Sequence, residues 1–245
     1  MWDRPDILNR LADLLIALAV VLVIYGALHF ALRLPIFPLR EVRMTNPVAL
    51  VSGEQVEALI RHEIKGNFFT LDLVAVRAAF VKLPWVRNVS MRRRWPDRLE
   101  VTLEEHVPLA RWSDRALVNN YGEVFTAAYH GNLPLFVGPA ESAKEIAIQY
   151  EFFKRSLAAI GKVEQVQVTP RRAWQVRLEG GPTLELGRER IEVRLARFVA
   201  TYGHTLGRLD RRIDFVDLRY ANGFAVRIPE LGLEKAGPKG RKGRA

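Results

Sequence analysis

The five histidines, at positions 29, 62, 106, 130 and 204, fall in unrelated parts of the sequence. A hydrolase or a metal centre needs reactive groups that converge on one point. His62-Glu63 lacks the second histidine that a zinc-binding helix would carry one turn away. No G-x-S-x-G, P-loop or G-x-G-x-x-G pattern occurs, so neither an activated serine nor a phosphate cradle is written in the chain. Glu104-Glu105-His106 is the one local cluster of titratable residues. Neighbours in a strand point to opposite faces, which separates Glu105 from His106. Cysteine is absent, which removes disulfide and thiol chemistry. The expectation is therefore no enzyme: no catalytic residue, no cofactor, no metal and no small-molecule substrate.

Two other patterns point to binding instead. Met91-Arg92-Arg93-Arg94-Trp95 is basic with an aromatic, a mark of nucleic-acid binding in other contexts. These arginines alternate in face within one short strand, and Glu100, Glu104 and Glu105 lie in the partner strand. Cross-strand ion pairing accounts for them, so nucleic acid is not expected. The second pattern is the last strand, Phe224-Ala225-Val226-Arg227-Ile228. It carries one charge, and Pro229 comes only after it, so little guards it if it is an edge. An unguarded edge offers free N–H and C=O groups to an extended partner. Arg219 and Tyr220 just before it could hold an acidic or aromatic partner group. The residues alone leave open an internal strand, or an edge covered by the tail.

The elements that must position these residues start with a membrane anchor. Leu14 to Leu32 contains no Asp, Glu, Lys or Arg. About 19 helical residues reach roughly 28 Å, close to the hydrocarbon thickness of a bilayer. Apolar residues surround the helical wheel, unlike a one-sided surface stripe. No small-residue cleavage site follows, which favours a retained anchor over a signal peptide. Arginines flank both ends and do not decide orientation. Half of the net charge of +10 comes from the tail after Glu234, which reads as a disordered basic terminus at 231–245. Binding to an anionic lipid or polymer is its alternative.

Beyond the anchor, Pro35 to Pro38 reads as a stiff link and Leu39 to Asn46 as a strand. Ser52 three before Gln55 forms a capping-box pattern for a helix closed by Gly66. A second helix starts near Asp72 and ends before Pro84. Val86–Trp95 and the strand at Leu99–Leu103 form a hairpin about Pro96-Asp97. From Val107 the texture changes to short strands at 116–118 and 123–126, with a loop at Leu133–Gly138. An amphipathic helix follows at Ala143–Ile160. Strands at 163–169, 174–178 and 183–186 precede a second amphipathic helix at Arg188–Tyr202. Ile213–Tyr220 and Phe224–Ile228 close the chain as a hairpin about Asn222-Gly223, a strong turn signal. The fold class is α+β. The divisions are a tail at 1–13, the membrane helix at 14–34, a β-α-α-β-β unit at 37–106, a mixed β unit with two amphipathic helices at 107–230, and the tail from 231.

The phrases FPLREVRMTN and LPWVRNVSMRRRWPDRLEVTLEEHVPLARW, behind one span, resemble the POTRA domain of the FtsQ/DivIB family. NNYGEVF, LPLFVGP, TPRRAWQVRLEGGPTLELGR, RLARFV and IDFVDLRYANGFAVRIP resemble that family's β-domain, in order. The resemblance covers nearly the whole chain after the short N-terminal tail. It implies no catalysis. It implies an inner-membrane protein with a cytoplasmic N-terminus, a periplasmic bulk and a place at the division septum. The implied partners are FtsB, itself paired with FtsL, and other division proteins. FtsB would add a strand to the last strand of the β-domain. Carried over by motif, Arg171, Arg219, Tyr220, Asn222, Gly223, Phe224, Ala225, Val226, Arg227 and Ile228 would form that site. Ile228 stands where some members carry an aromatic. A POTRA-bearing chaperone for exported chains is the alternative; such proteins usually carry POTRA repeats or a membrane barrel, neither of which is read here.

Overall fold

The computed structural model describes residues 5–34, 37–64, 66–209 and 211–229. The Pro35–Pro38 link, the start of the N-terminal tail and the basic tail at 231–245 fall partly or wholly outside these residues. The chain divides into two compact units, Met1–His106 and Val107–Ala245.

The first unit opens with helix α1, Pro5–Arg33. Its stretch Asn9–Leu32 has a mean hydropathy of 2.6 and none of it is buried by the rest of the chain. An apolar helix left bare all round belongs in lipid, and its 24 residues fit a single span. The rest of the unit has a three-stranded sheet in the order β1-β3-β2. Strand β1 (Glu41–Met44) runs parallel to β3 (Arg98–Glu105), and β3 runs antiparallel to β2 (Val86–Arg94). Helices α2 (Gly53–Glu63) and α3 (Leu73–Val81) belong to the same unit. Val76 and Phe80 of α3 meet Val89, Leu99, Val101 and Leu103 in one buried cluster. The element order is the β-α-α-β-β read from the sequence.

Two local readings of this unit need correction. Asp72 caps α3 as expected, its carboxylate accepting from the backbone N–H groups of Val74 and Ala75. Ser52 makes no side-chain cap at α2, so the capping box does not form. A remote carboxylate serves that approach instead. Glu105 accepts from the N–H groups of Ala49, Leu50 and Val51 at 2.7–2.9 Å. Glu105 is therefore a backbone acceptor and not a partner for the arginines of β2. Arg94 pairs with Glu100 at 2.9 Å, Arg87 with Glu104 at 2.7 Å, and Arg93 donates to the carbonyl of Leu71.

The second unit is one nine-stranded sheet in the order β12-β11-β10-β9-β8-β7-β4-β5-β6. Its first strands are β4 (Pro108–Trp112), β5 (Ala116–Asn119), β6 (Val124–Phe125) and β7 (Leu135–Val137). Next come β8 (Val163–Val168), β9 (Trp174–Leu178) and β10 (Thr183–Gly187). The last are β11 (Phe215–Asp217) and β12 (Ala225–Arg227). The expected loop at Leu133–Gly138 holds β7, and β4 was not read as a separate strand. Both are short, and each touches Pro at or beside one end. Their pairing, β4 with β7 and β7 with β8, is parallel and comes from far along the chain.

Parallel strands need a crossover, and the two amphipathic helices supply it. Helix α4 (Ala143–Ser156) joins β7 to β8, and α5 (Ile191–Tyr202) joins β10 to β11. Each buries its apolar stripe in the core. Ile146, Tyr150 and Phe153 of α4 and Leu195 and Phe198 of α5 join Phe136, Val166, Val176, Leu184 and Leu186 of the sheet. Ile148, on the opposite face of α4, stays exposed.

Candidate partner-binding edge

Strand β12 is the outermost strand of the large sheet, and among the described residues β11 is its one ladder partner. The register places Phe215 opposite Arg227, Val216 opposite Val226, and Asp217 opposite Ala225. Alternation sets the faces. Phe224, Val226 and Ile228 lean onto the core, while Ala225 and Arg227 are exposed. The Arg227 guanidinium lies 5.5 Å from the centre of the Phe215 ring. The opposite edge, β6, has two residues. In the first unit the nine-residue strand β2 is also an edge, but it carries Arg87, Arg92, Arg93 and Arg94. Charges of that kind guard an edge against added strands. β12 has one.

The link from β11 to β12 is not the tight Asn222-Gly223 turn read from the sequence. The paired strands stop at Asp217 and resume at Ala225, and neither Asn222 nor Gly223 takes a positive φ. A two-residue type I′ turn requires positive φ at both centres. The loop is held from outside by Arg197 of α5. Arg197 Nη2 donates to the carbonyls of Tyr220 at 2.7 Å and Gly223 at 3.3 Å, and Nη1 donates to that of Ala221. The Leu218 carbonyl lies 3.5 Å from Nη2. One planar fork thus collects carbonyls across the whole loop. Under the loop, the Phe224 ring meets Phe198 of α5 edge-on, with centroids 5.9 Å apart.

Beside the loop, a row of polar side chains crosses the sheet. Gln175 of β9 donates to Glu185 of β10, and Glu185 stands in register with Asp217 of β11. Both carboxylates are buried. Asp217 is balanced by Arg219, whose Nε and Nη2 donate to its two oxygens at 2.9 and 2.7 Å. These side-chain hydrogen bonds hold the Asp217 carboxyl below the usual carboxylate range, with burial working against them. The same partner pushes the Arg219 guanidinium up. The stem of Arg219 lies over Gly187, which has φ +72°. A Cβ on Gly187 would come within 3.2 Å of Arg219 Cγ and 2.9 Å of Arg194 Nη1.

These contacts bring together most of the residues singled out in the sequence. Tyr220, Asn222, Gly223, Phe224 and Ala225 line one shallow recess at the start of β12. The Tyr220 ring is 58% exposed. Arg219 sits beside the recess with its fork turned onto Asp217, leaving Nη1 outside that pair. Arg171 is exposed in the turn before β9. The register Trp174–Gly187 and Glu185–Asp217 puts that turn at the same end of the sheet as the recess. It lies three strands in, roughly 14 Å away. Its neighbour Arg172 pairs with Glu145 of α4.

Arg197 and Asp217 were not singled out in the sequence, although they fix the geometry here. The signal for Asp217 was present in D-L-R, an acid and an arginine on one face of a strand. Arg197 carried none, because its partners are backbone carbonyls far along the chain. Among the described residues no three metal-ligating side chains gather, and the edge presents backbone groups, an aromatic and arginines.

Two family models match the chain. One is described as the POTRA domain, FtsQ-type, and covers residues 37–106. The other is described as Cell division protein FtsQ/DivIB, C-terminal, and covers residues 110–219. That second match includes Arg171 and Arg219 and ends before the recess and β12. The chain is 46% identical to the cell division protein FtsQ of Nitrosospira multiformis over 233 residues, 93% of this chain and 99% of the relative. It is 39% identical to that of Burkholderia pseudomallei over 250 residues, 99% of this chain and 100% of the relative. For the protein of Neisseria gonorrhoeae the identity is 33% over 235 residues, 95% and 97% of the two chains.

Proposed function

The chain belongs to the FtsQ/DivIB family of cell division proteins, and on that premise we propose that it is a non-catalytic scaffold of the division machinery that captures FtsB, paired with FtsL, on its last strand. In this reading residues 14–34 anchor the chain in the inner membrane with the N-terminus in the cytoplasm. A POTRA domain at 37–106 and a β-domain at 107–230 stand in the periplasm at the septum. The scaffold links early and late division proteins and helps control septal wall synthesis.

The observation that carries the reading is the state of β12. It is a sheet edge with a single charge, and the loop before it is held by its own helix. A partner strand laid against β12 would gain main-chain hydrogen bonds without first ordering that loop. Tyr220 is the natural anchor, being a large exposed aromatic beside the recess. Arg227 and Arg219 would meet acidic partner side chains. Arg219 is already oriented by Asp217, so its Nη1, outside that pair, could donate to a carboxylate with little loss of side-chain freedom. Arg171 would extend this basic surface along the same end of the sheet.

The test is binding of the periplasmic segment of FtsB to the chain from residue 34 onward, beside the variants Tyr220→Ala and Val226→Pro. Loss of a central aromatic anchor costs about 2 kcal/mol or more, roughly thirtyfold in affinity. Proline in the edge removes a backbone donor and breaks a continuous ladder. Binding by wild type and its loss in both folded variants supports the docking edge. Wild-type affinity retained in both variants rejects the site, and no binding by wild type rejects the partner.

A further inference from the structure

The membrane-facing end of the first unit carries exposed aromatics and arginines that the proposed scaffold role does not use. Its position follows from a set of hydrogen bonds around Asn67. The side-chain amide of Asn67 donates to the carbonyls of Leu32 at 2.7 Å and Leu34 at 3.0 Å. Leu32 is the last residue of the apolar stretch of α1, where carbonyls lack helical partners. Asn67 is itself buried, and its oxygen accepts from the N–H groups of Phe69 and Thr70 and from the Thr70 hydroxyl. Phe68 N–H donates to the Phe37 carbonyl at 2.9 Å. The turn at 67–70 is therefore fastened to the end of the membrane helix.

The β2–β3 hairpin tip comes to the same end. Arg40 N–H donates to the Asp97 carbonyl at 2.9 Å, and Arg93 donates to the Leu71 carbonyl just after the fastened turn. β1 leaves the membrane side at Glu41, which lies in register with Arg98 at the start of β3. The tip Trp95-Pro96-Asp97 thus faces the same way as α1's exit. There Trp95 is 75% exposed and Phe69 is 41% exposed, with Phe69 packed edge-on against Phe37. Arg40 and Arg92 are exposed, and the one acid opposite Arg92 in the ladder, Glu100, is taken by Arg94.

We propose that this end of the domain docks on the bilayer surface, with Trp95 and Phe69 in the headgroup layer and Arg40 and Arg92 on the phosphates of anionic phospholipids. Trp is the residue that favours this layer, where an apolar ring and a polar N–H are both satisfied. An arginine near an anionic surface contributes about fivefold to binding. The contact gives the domain the hairpin tip as a second point on the membrane, beside the turn fastened to the anchor helix.

The chain has no cysteine, so a nitroxide can be placed at one chosen position. The full chain would carry it at Asp97→Cys in nanodiscs of phosphatidylethanolamine with phosphatidylglycerol. A reference label goes at Asn88→Cys, six residues up β2 from Arg94, roughly 20 Å away. Collision with oxygen against a water-soluble nickel chelate reports depth. The expected result is an interfacial depth at 97 and an aqueous one at 88. Adding Trp95→Ser and Arg92→Ser returns the label at 97 to water with circular dichroism unchanged. Phosphatidylcholine alone lowers the docked-to-free ratio about fivefold or more. An aqueous signal at 97 in the anionic bilayer overturns the proposal. So does an interfacial signal that survives both substitutions, and so does equal docking on phosphatidylcholine, which removes the anionic recognition.

Discussion

Replacing Arg197 with alanine should loosen β12 while leaving the rest of the large sheet in place. Its fork donates to the carbonyls of Ala221, Tyr220 and Gly223, and only the first two are short enough to count fully. A hydrogen bond from a charged donor is worth about 1.5–3 kcal/mol. The loop is exposed, so water takes over part of the lost bonding, and the net cost comes to about 2–3 kcal/mol. β12 has only a three-residue ladder and the packing of Phe224, Val226 and Ile228 to set against that loss. Local opening should therefore become roughly thirty to one hundred and fortyfold more frequent, taking about 1.4 kcal/mol per factor of ten. Hydrogen exchange read by mass spectrometry over residues 211–229 would show it. Protection in β8, β9 and β10 should change little. Arg197→Lys should recover only part of the protection, because a point charge cannot span several carbonyls. Unchanged exchange in Arg197→Ala would refute the reasoning. A loss spread evenly over the sheet would refute it as well, because Arg197 would then be a core residue rather than a clamp.

Two further outcomes follow from the polar row beside the edge. Gly187→Ala places a side chain at φ +72° and pushes on Arg219 and Arg194, so chemical denaturation should show a loss of about 1–2 kcal/mol in the second unit, with FtsB binding reduced as well. The Asp217 carboxyl is held below its ordinary range by Arg219, so its stabilising effect is complete above about pH 4 and disappears as pH falls through the lowered value. Protection of β11 and β12 measured against pH should drop in that acid window, and Asp217→Asn should flatten the drop.

How much of this was legible in the sequence depended on the range of the contacts. Elements carried by local pattern came through: the uncharged run of α1, Asp72 as the cap of α3, the alternating hairpin of β2 and β3, and the stripes of α4 and α5. Elements decided at long range did not. Ser52 and Gln55 spell a capping box, yet the N–H groups before α2 go to Glu105, more than fifty residues on. Leu135–Val137 is too short, and too close to Pro134 and Pro139, to announce a strand. It becomes one because β4 and β8 flank it on both sides. Asn222-Gly223 is a strong turn signal that a guanidinium from α5 overrides. Of the binding edge, the exposed residues were visible in the chain, and the residues that hold them in place were not.

That division has a physical reason. A strand that receives a partner must keep its outer backbone groups free, so it cannot be stabilised by a second neighbour. It must also be short, because a long unguarded edge aggregates. A three-residue ladder is marginal by itself, and its order has to come from elsewhere. Here it comes from α5, which sets Phe198 beneath Phe224 and Arg197 over the loop carbonyls. The helix that carries the chain across from β10 to β11 therefore also fixes the geometry of the edge. The long β2 of the first unit solves the opposite problem, lining an edge with arginines so that no strand is added. If a partner strand is added, the arginine-lined β2 disfavours that edge, and α5 sets how well β12 is ordered to receive it.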